Sequence, residues 1–245
     1  MKRNTLTGKD IIEIRKKLSA NSRGGVDVGA IEPINANAME SALSRQNTGF
    51  GGELKYTKAH EIGASLFYGI AMNHAFENGN KRTALVSMLV CLNFNDVSLE
   101  DSTEEELYRM ATSLVNHQFP DASASEWSAD DVIEALARWI RERSKKNPKF
   151  TDRATDWKDF RAILTAQGCE FQKPSKNFVR ITRGKLSAKT GYPRENFTIP
   201  AQEVKRLRRA LKLNRISTSE FYDLDRNVDR IVAKHANLLE RLADA

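Results

Sequence analysis

The 245-residue chain is predicted to be mainly α, a helical bundle followed by a small basic α+β domain. Three observations predict this. Apolar residues in the first half recur at i, i+3, i+4 and i+7, the spacing of a helix with one face on a core. No run there alternates with period two over a useful length. Charge divides unevenly: residues 1–150 hold 19 Lys+Arg and 20 Asp+Glu, residues 151–245 hold 20 and 12, so the formal +7 comes from the last two-fifths. Such asymmetry points to two domains with different partners.

The first-half helices follow in order. Residues 10–18 place Ile11, Ile14 and Leu18 on one face, and 57–73 place Ala59, Ile62, Leu66 and Ile70. Residues 81–92 carry Leu85, Met88, Leu89 and Leu92, 104–117 carry Leu107, Met110, Ala111 and Leu114, and 129–143 carry Val132, Leu136 and Ile140. Each is read as an amphipathic stripe with a polar opposite face. Residues 21–54, with Gly24-Gly25, Pro33 and Gly49-Phe50-Gly51-Gly52, read as a longer irregular segment, which in a compact domain usually serves function. The expected divisions are a helical domain over 1–146, a solvated linker over 147–155 and a basic domain over 156–245.

In the second half, 156–167 reads as a helix stopped by Gly168. Residues 169–183 read as a hairpin around Pro174-Ser175-Lys176, and 196–199 as a further strand. Pro200 opens a helix with Val204, Leu207 and Leu211 inward. Ser217-Thr218-Ser219-Glu220 has the form of a capping box. Residues 225–242 form a last helix with Val228, Ile231, His235, Leu238 and Leu242 as its seam, expected to pack on its own domain.

Several classes are excluded. Two cysteines, Cys91 and Cys169, and four histidines without CxxC or HExxH spacing argue against a disulfide framework or a zinc site. The basic start, Met1 to Asn4, lacks a following apolar run, so no signal peptide is read. The longest apolar stretch, 84–94, is about half the roughly 20 residues a membrane span needs. A soluble cytoplasmic protein with no membrane partner is expected.

One stretch carries chemistry: His74-Ala75-Phe76-Glu77-Asn78-Gly79-Asn80-Lys81-Arg82-Thr83-Ala84-Leu85, between two apolar-faced helices. Gly79 permits positive φ and close backbone approach. Asn80 tolerates the same geometry, and its amide can bond locally. Free N–H groups at the start of the following helix make an anion site. Lys81 and Arg82 add two cations, and Arg can grip phosphate oxygens bidentately. Phe76 is the apolar anchor of the loop. His74, at its rim, has a side chain suited to general base work near neutral pH. The parts suit a phosphate-containing donor attacked by a hydroxyl that His74 deprotonates. An ordinary helix–loop–helix turn with surface charges is the plainer reading of the same residues.

This stretch resembles the signature of the Fic/Doc (Fido) family, H-x-F-x-[D/E]-G-N-[G/K]-R, with Lys81 and the Thr-Ala-Leu tail resembling the Doc, or death-on-curing, branch. Met39-Glu40-Ser41-Ala42-Leu43 is similar to a helix of that branch. The resemblance covers residues 10–92, and loosely reaches 143. It implies His74 as the base, and Gly79, Asn80, Lys81 and Arg82 as holders of the phosphates of ATP or another nucleoside triphosphate. Adenylylating members carry a second Arg at the position of Leu85. The Doc branch lacks it and transfers a phosphate to a translation factor, so Lys81 and Leu85 favour phosphoryl transfer to a Ser, Thr or Tyr of a protein over adenylylation. The resemblance also implies Mg²⁺, held by an acidic residue whose place Asn78 takes, and a separate antitoxin, since no [S/T]-x-x-x-E-[G/N] inhibitory string occurs. A weakly active scaffold serving the second domain is the alternative that Asn78 suggests.

In the second half, Lys205, Arg206, Arg208, Arg209 and Lys212 crowd one helix, an expected contact for RNA, DNA or an acidic partner. Residues 157–221 are weakly similar to the HicA-like family of small double-stranded-RNA-binding-like domains. That family's Gly-Ser-His turn corresponds here to Pro174-Ser175-Lys176, without His, which implies binding without cleavage.

Overall fold

The computed structural model describes residues 3–20, 29–99, 102–146, 155–174, 177–191, 197–213 and 224–245. The chain divides into two compact units, one of residues 1–147 with 224–245, the other of 148–223.

The first unit is a helical bundle. Its helices are α1 (Gly8–Ala20), α2 (Ala36–Ser44), α3 (Ala59–Met72), α4 (Asn80–Phe94), α5 (Glu104–Val115), α6 (Ala129–Arg143), α9 (Leu224–Lys234) and α10 (Ala236–Arg241). Two short ladders accompany them, β1 (Gly49–Phe50) with β2 (Glu53–Leu54) and β3 (Val97–Ser98) with β4 (Lys145–Lys146). Local sequence starts the helices cleanly. Thr103 and Glu106 close a capping box on α5, and Ser128 and Asp131 one on α6, each satisfying first-turn N–H groups.

The centre of the bundle is α4. Its expected one-sided stripe is instead buried all round: Val86, Ser87, Val90 and Cys91 are as inaccessible as Leu85 and Met88. The reason is that α4 packs against α1, α3, α5 and α9 together, so no face is left for solvent. Burial pushes the Cys91 thiol up to about 12, which makes it a packing residue. The pairing of α2 with α3 depends on a glycine. A Cβ on Gly69 would lie 2.9 Å from the Ala42 Cα and carbonyl oxygen, closer than packed atoms tolerate. The irregular segment of the sequence reading thus contains α2 and the β1–β2 hairpin; its residues 21–28 lie outside the described ones.

The last helices correct the expected domain boundary. Residues 224–245 group with the bundle, not with the basic domain. Val228, Ile231, Val232, Leu238, Leu239 and Leu242 are buried in the bundle's core. α9 lies on α1 and α4, and α10 on α5, because α1 and α4 carry more apolar surface than their first-half neighbours cover. Lys17 Nζ bonds Asp229 Oδ2 at 3.1 Å, and Arg241 bonds Glu105 at 2.9 Å while standing 4.0 Å from the Tyr108 ring. His235 is buried at the joint between the two helices, and burial first, then Lys234, pushes it down to about 4.

The second unit holds β5 (Thr155–Asp156), α7 (Trp157–Ala166), β6 (Glu170–Phe171), β7 (Phe178–Arg183), β8 (Leu186–Gly191), β9 (Thr198–Ile199) and α8 (Ala201–Ala210). β6, β7 and β8 form an antiparallel sheet, and β5 pairs with β9. Residue 155, expected in the linker, and residue 156, expected to open the helix, are therefore strand. β8 was not expected. It follows a two-residue turn, Gly184-Lys185, with Gly184 at φ 56°, the geometry tight hairpins favour. Its inward residues, Ala188 and Thr190, are too small and polar to signal a strand. One sheet face supplies Val179, Ile181 and Ala188 to a core with Trp157, Phe160, Leu164, Val204, Leu207 and Leu211. The expected helix at 217–220 lies outside the described residues.

Candidate functional site

The loop joining α3 to α4 is shaped by what lies beneath it. Asn73, capping α3, donates its side-chain N–H to the Ala38 carbonyl at 3.1 Å, and the Ala75 carbonyl accepts from the Asn35 N–H at 3.2 Å. Both bonds go to the start of α2. They fix the residues on either side of His74, which is exposed and held at φ 48°. Such a conformation costs a non-glycine residue roughly 1–3 kcal/mol and persists only where neighbours impose it.

Phe76 is 2 % exposed and anchors the loop as expected. Asn80 bonds locally, as its amide allows. Its amide grips the loop, donating to the Phe76 carbonyl at 2.7 Å and accepting from the Phe76 N–H at 3.1 Å. With both polar atoms of its side chain engaged, Asn80 offers an anion its backbone N–H. Gly79, at φ 74°, caps α4, so the N–H groups of Asn80 and Lys81 begin the helix with no acceptor inside it. Lys81 is half-buried, and burial first, then the neighbouring Arg82 charge, lowers its pKa. Arg82 is 5 % exposed.

The sequence reading missed Arg15. This α1 side chain is fully buried. Its guanidinium lies 3.9 Å from the Phe76 ring centroid. It donates to the Asn78 carbonyl, the Thr83 hydroxyl and the Ile31 carbonyl, each at 3.1 Å, and to the Ala30 carbonyl. One cation thus ties the loop, the first turn of α4 and the segment before α2. A signal existed: Arg15 falls among Ile11, Ile14 and Leu18 on the apolar face, where a charge is tolerated only if fully partnered. Gly29 completes the brace. It sits at φ 74°, and a Cβ there would lie 3.2 Å from the Asn78 Cβ.

The structure places His74, Phe76, Asn78, Gly79, Asn80, Lys81 and Arg82 on this loop and the first turn of α4. Two cations, helix N–H groups and a buried guanidinium surround it with positive potential. The arrangement fits a polyanion. For Mg²⁺, which is held through one or two carboxylates together with substrate phosphates and waters, the loop offers a neutral amide at Asn78. The main-chain carbonyl of Asn78 accepts from Arg15, and among the described residues no group of three His, Cys, Asp or Glu could hold a metal.

A polyanion bound here favours charged Lys81 and lifts its depressed pKa toward the ordinary 10.5. Affinity should therefore be lost as pH rises through the lowered value. Titrating tripolyphosphate into the protein is expected to show this alkaline loss, and Lys81→Met is expected to flatten it. An equal pH dependence in both proteins would remove Lys81 from the site.

The predicted basic patch on α8 is smaller than expected. Arg208 is 4 % exposed and donates to the Leu213 carbonyl at 3.3 Å, because the helical period turns it inward with Val204, Leu207 and Leu211. Arg206 is held by Glu203 at 2.6 Å and by the Lys189 carbonyl at 2.7 Å. Lys205, Arg209 and Lys212 stay exposed.

With this geometry in view, the comparisons are specific. The model of the Fic/DOC family matches residues 5–92, which span α1 to α4 and the whole loop. No curated protein and no solved structure matches the chain.

Proposed function

We propose that the protein is a Doc-like transferase that moves the γ-phosphoryl group of a nucleoside triphosphate to a Ser, Thr or Tyr hydroxyl of a protein, as the toxin of a toxin–antitoxin pair acting on a translation factor in the cytoplasm. No helix among the described residues is long and apolar enough to cross a membrane. The observation that carries the reading is the α3–α4 loop, with exposed His74 held at φ 48° beside a helix start bearing Lys81 and Arg82.

In this reading His74 accepts the proton of the attacking hydroxyl. Its oxygen forms a bond to the γ-phosphorus as the bond to the β–γ bridging oxygen breaks, and the nucleoside diphosphate leaves. Lys81, Arg82 and the first N–H groups of α4 neutralise the charge on the transferring phosphoryl group. Arg15 and Asn80 hold the loop in place for that work. Leu85 is fully buried in the core and adds no cation, which favours phosphoryl over nucleotidyl transfer.

The test incubates the protein and His74→Ala with bacterial lysate and ATP labelled at either the γ- or the α-phosphate. The expected result is a protein band with γ-label alone, absent with His74→Ala. An α-labelled band would establish nucleotidyl transfer instead. Asn78, neutral where the family pattern has a carboxylate, favours a second reading as an inactive scaffold. No band with either label would select it.

A further inference from the structure

We propose that the open face of the β6–β8 sheet is a platform for single-stranded nucleic acid, with Phe178 stacking on bases and Arg180 and Lys189 holding phosphates. The inference concerns the second unit and does not depend on the transferase reading.

The sheet is covered on one side only. Along β7 and β8 the inward residues are Val179, Ile181, Ala188 and Thr190, while Phe178, Arg180, Ser187 and Lys189 are exposed. The register sets Arg180 opposite Lys189 and Phe178 opposite Gly191, so all three proposed contacts share a face. Phe178 is 45 % exposed. A large aromatic left open on a strand, when a packed core lies on the other face, forgoes burial that the fold could have given it. Gly191 opposite leaves space beside the ring, and the Lys189 ammonium stands 4.3 Å from its centroid. An aromatic flanked by cations on an open sheet is how proteins take unpaired bases by stacking and their backbone by charge.

Charge supports the same ligand. Residues 148–223 hold 17 Lys and Arg against 8 Asp and Glu, a net +9. Glu170, opposite Thr182, is the one acid that the register sets on this face among the described residues. A duplex offers no base face for Phe178, and an acidic protein needs no ring, so the exposed aromatic favours a single strand over both. Of the α8 cations, Arg208 is buried and Arg206 is held by Glu203 and the Lys189 carbonyl.

The test measures binding of the full chain to fluorescein-labelled 12-nucleotide oligouridylate and oligothymidylate and to a 12-base-pair duplex, across a salt series. Either single strand is expected to bind more tightly than the duplex, and the two arms tell RNA from DNA. Phe178→Ala is expected to weaken binding roughly five- to hundredfold with an unchanged melting temperature. The double variant Arg180→Ala, Lys189→Ala should flatten the salt dependence by about 1.4, at about 0.7 per lost phosphate contact. The triple variant Lys205→Ala, Arg209→Ala, Lys212→Ala should change affinity less than about threefold. The proposal is overturned if the duplex binds as well, if polyglutamate competes equally, if Phe178→Ala leaves affinity unchanged, if the triple variant loses as much, or if nothing binds.

Discussion

Replacing Arg15 with Met is expected to lower the melting temperature by roughly 6–20 °C and to abolish polyanion binding at the α3–α4 loop. The variant keeps most of the side chain's volume and removes the charge. What it leaves behind are the Asn78, Ile31 and Ala30 carbonyls and the Thr83 hydroxyl, buried without their donor. Breaking such a buried charged network costs roughly 3–5 kcal/mol, at about 2–4 °C per kcal/mol for a chain of this size. Arg15→Lys is expected to recover only part of the loss, because one ammonium cannot span acceptors on three segments. Thermal melts followed by circular dichroism, with tripolyphosphate titration, would decide it. A melting temperature within 2 °C of the parent in Arg15→Met would refute the clamp.

Ending the chain at residue 223 is expected to unfold the bundle, although the match to the Fic/DOC family lies wholly within residues 5–92. The deletion removes Val228, Ile231, Val232, Leu238, Leu239 and Leu242 from the core and uncovers α1 and α4. At about 1.5–3 kcal/mol for each buried side chain, the loss is on the order of 10 kcal/mol, comparable with the roughly 5–15 kcal/mol by which a domain is stable. Hydrogen exchange supplies the readout. The α4 amides, protected in the full chain, are expected to exchange rapidly in the 1–223 protein, and a synthetic 224–245 peptide is expected to restore protection. An equally protected α4 without the peptide would show that α9 and α10 are dispensable.

The sequence made the helices legible where the apolar period was sustained, as over 104–117 and 129–143. It singled out the α3–α4 loop because Gly, Asn, Lys and Arg in that order have a mechanical reason to occur together. Arg15 was missed since three of its acceptors are backbone carbonyls 15 to 63 residues away, and carbonyls leave no trace in residue type. Asn80 was read both as a local bonder and as a phosphate holder, because an amide's choice between a phosphate and a neighbouring backbone is settled only by geometry. The final helices were assigned to the wrong unit for a related reason. An amphipathic stripe states that a face is buried, not what buries it. On α8 the cluster of cations looked like one face because Arg208 was counted by charge, whereas the 3.6-residue period places it beside Leu207 and Leu211.

The return of the chain to its first body has a consequence for synthesis. Lys17 meets Asp229 across 212 positions, and 76 residues of the second unit, 148–223, are made between α6 and α9. At about 5–20 residues per second, that interval lasts roughly 4–15 s. Throughout it, the nascent polypeptide carries the complete His74–Arg82 loop on a bundle whose α1 and α4 still lack a cover. The ribosome therefore delivers the parts of the site well before the helices that complete the core beneath them, and products terminated before residue 224 are expected to hold the motif without that cover. Synthesis of α9 and α10 supplies the last part of that core.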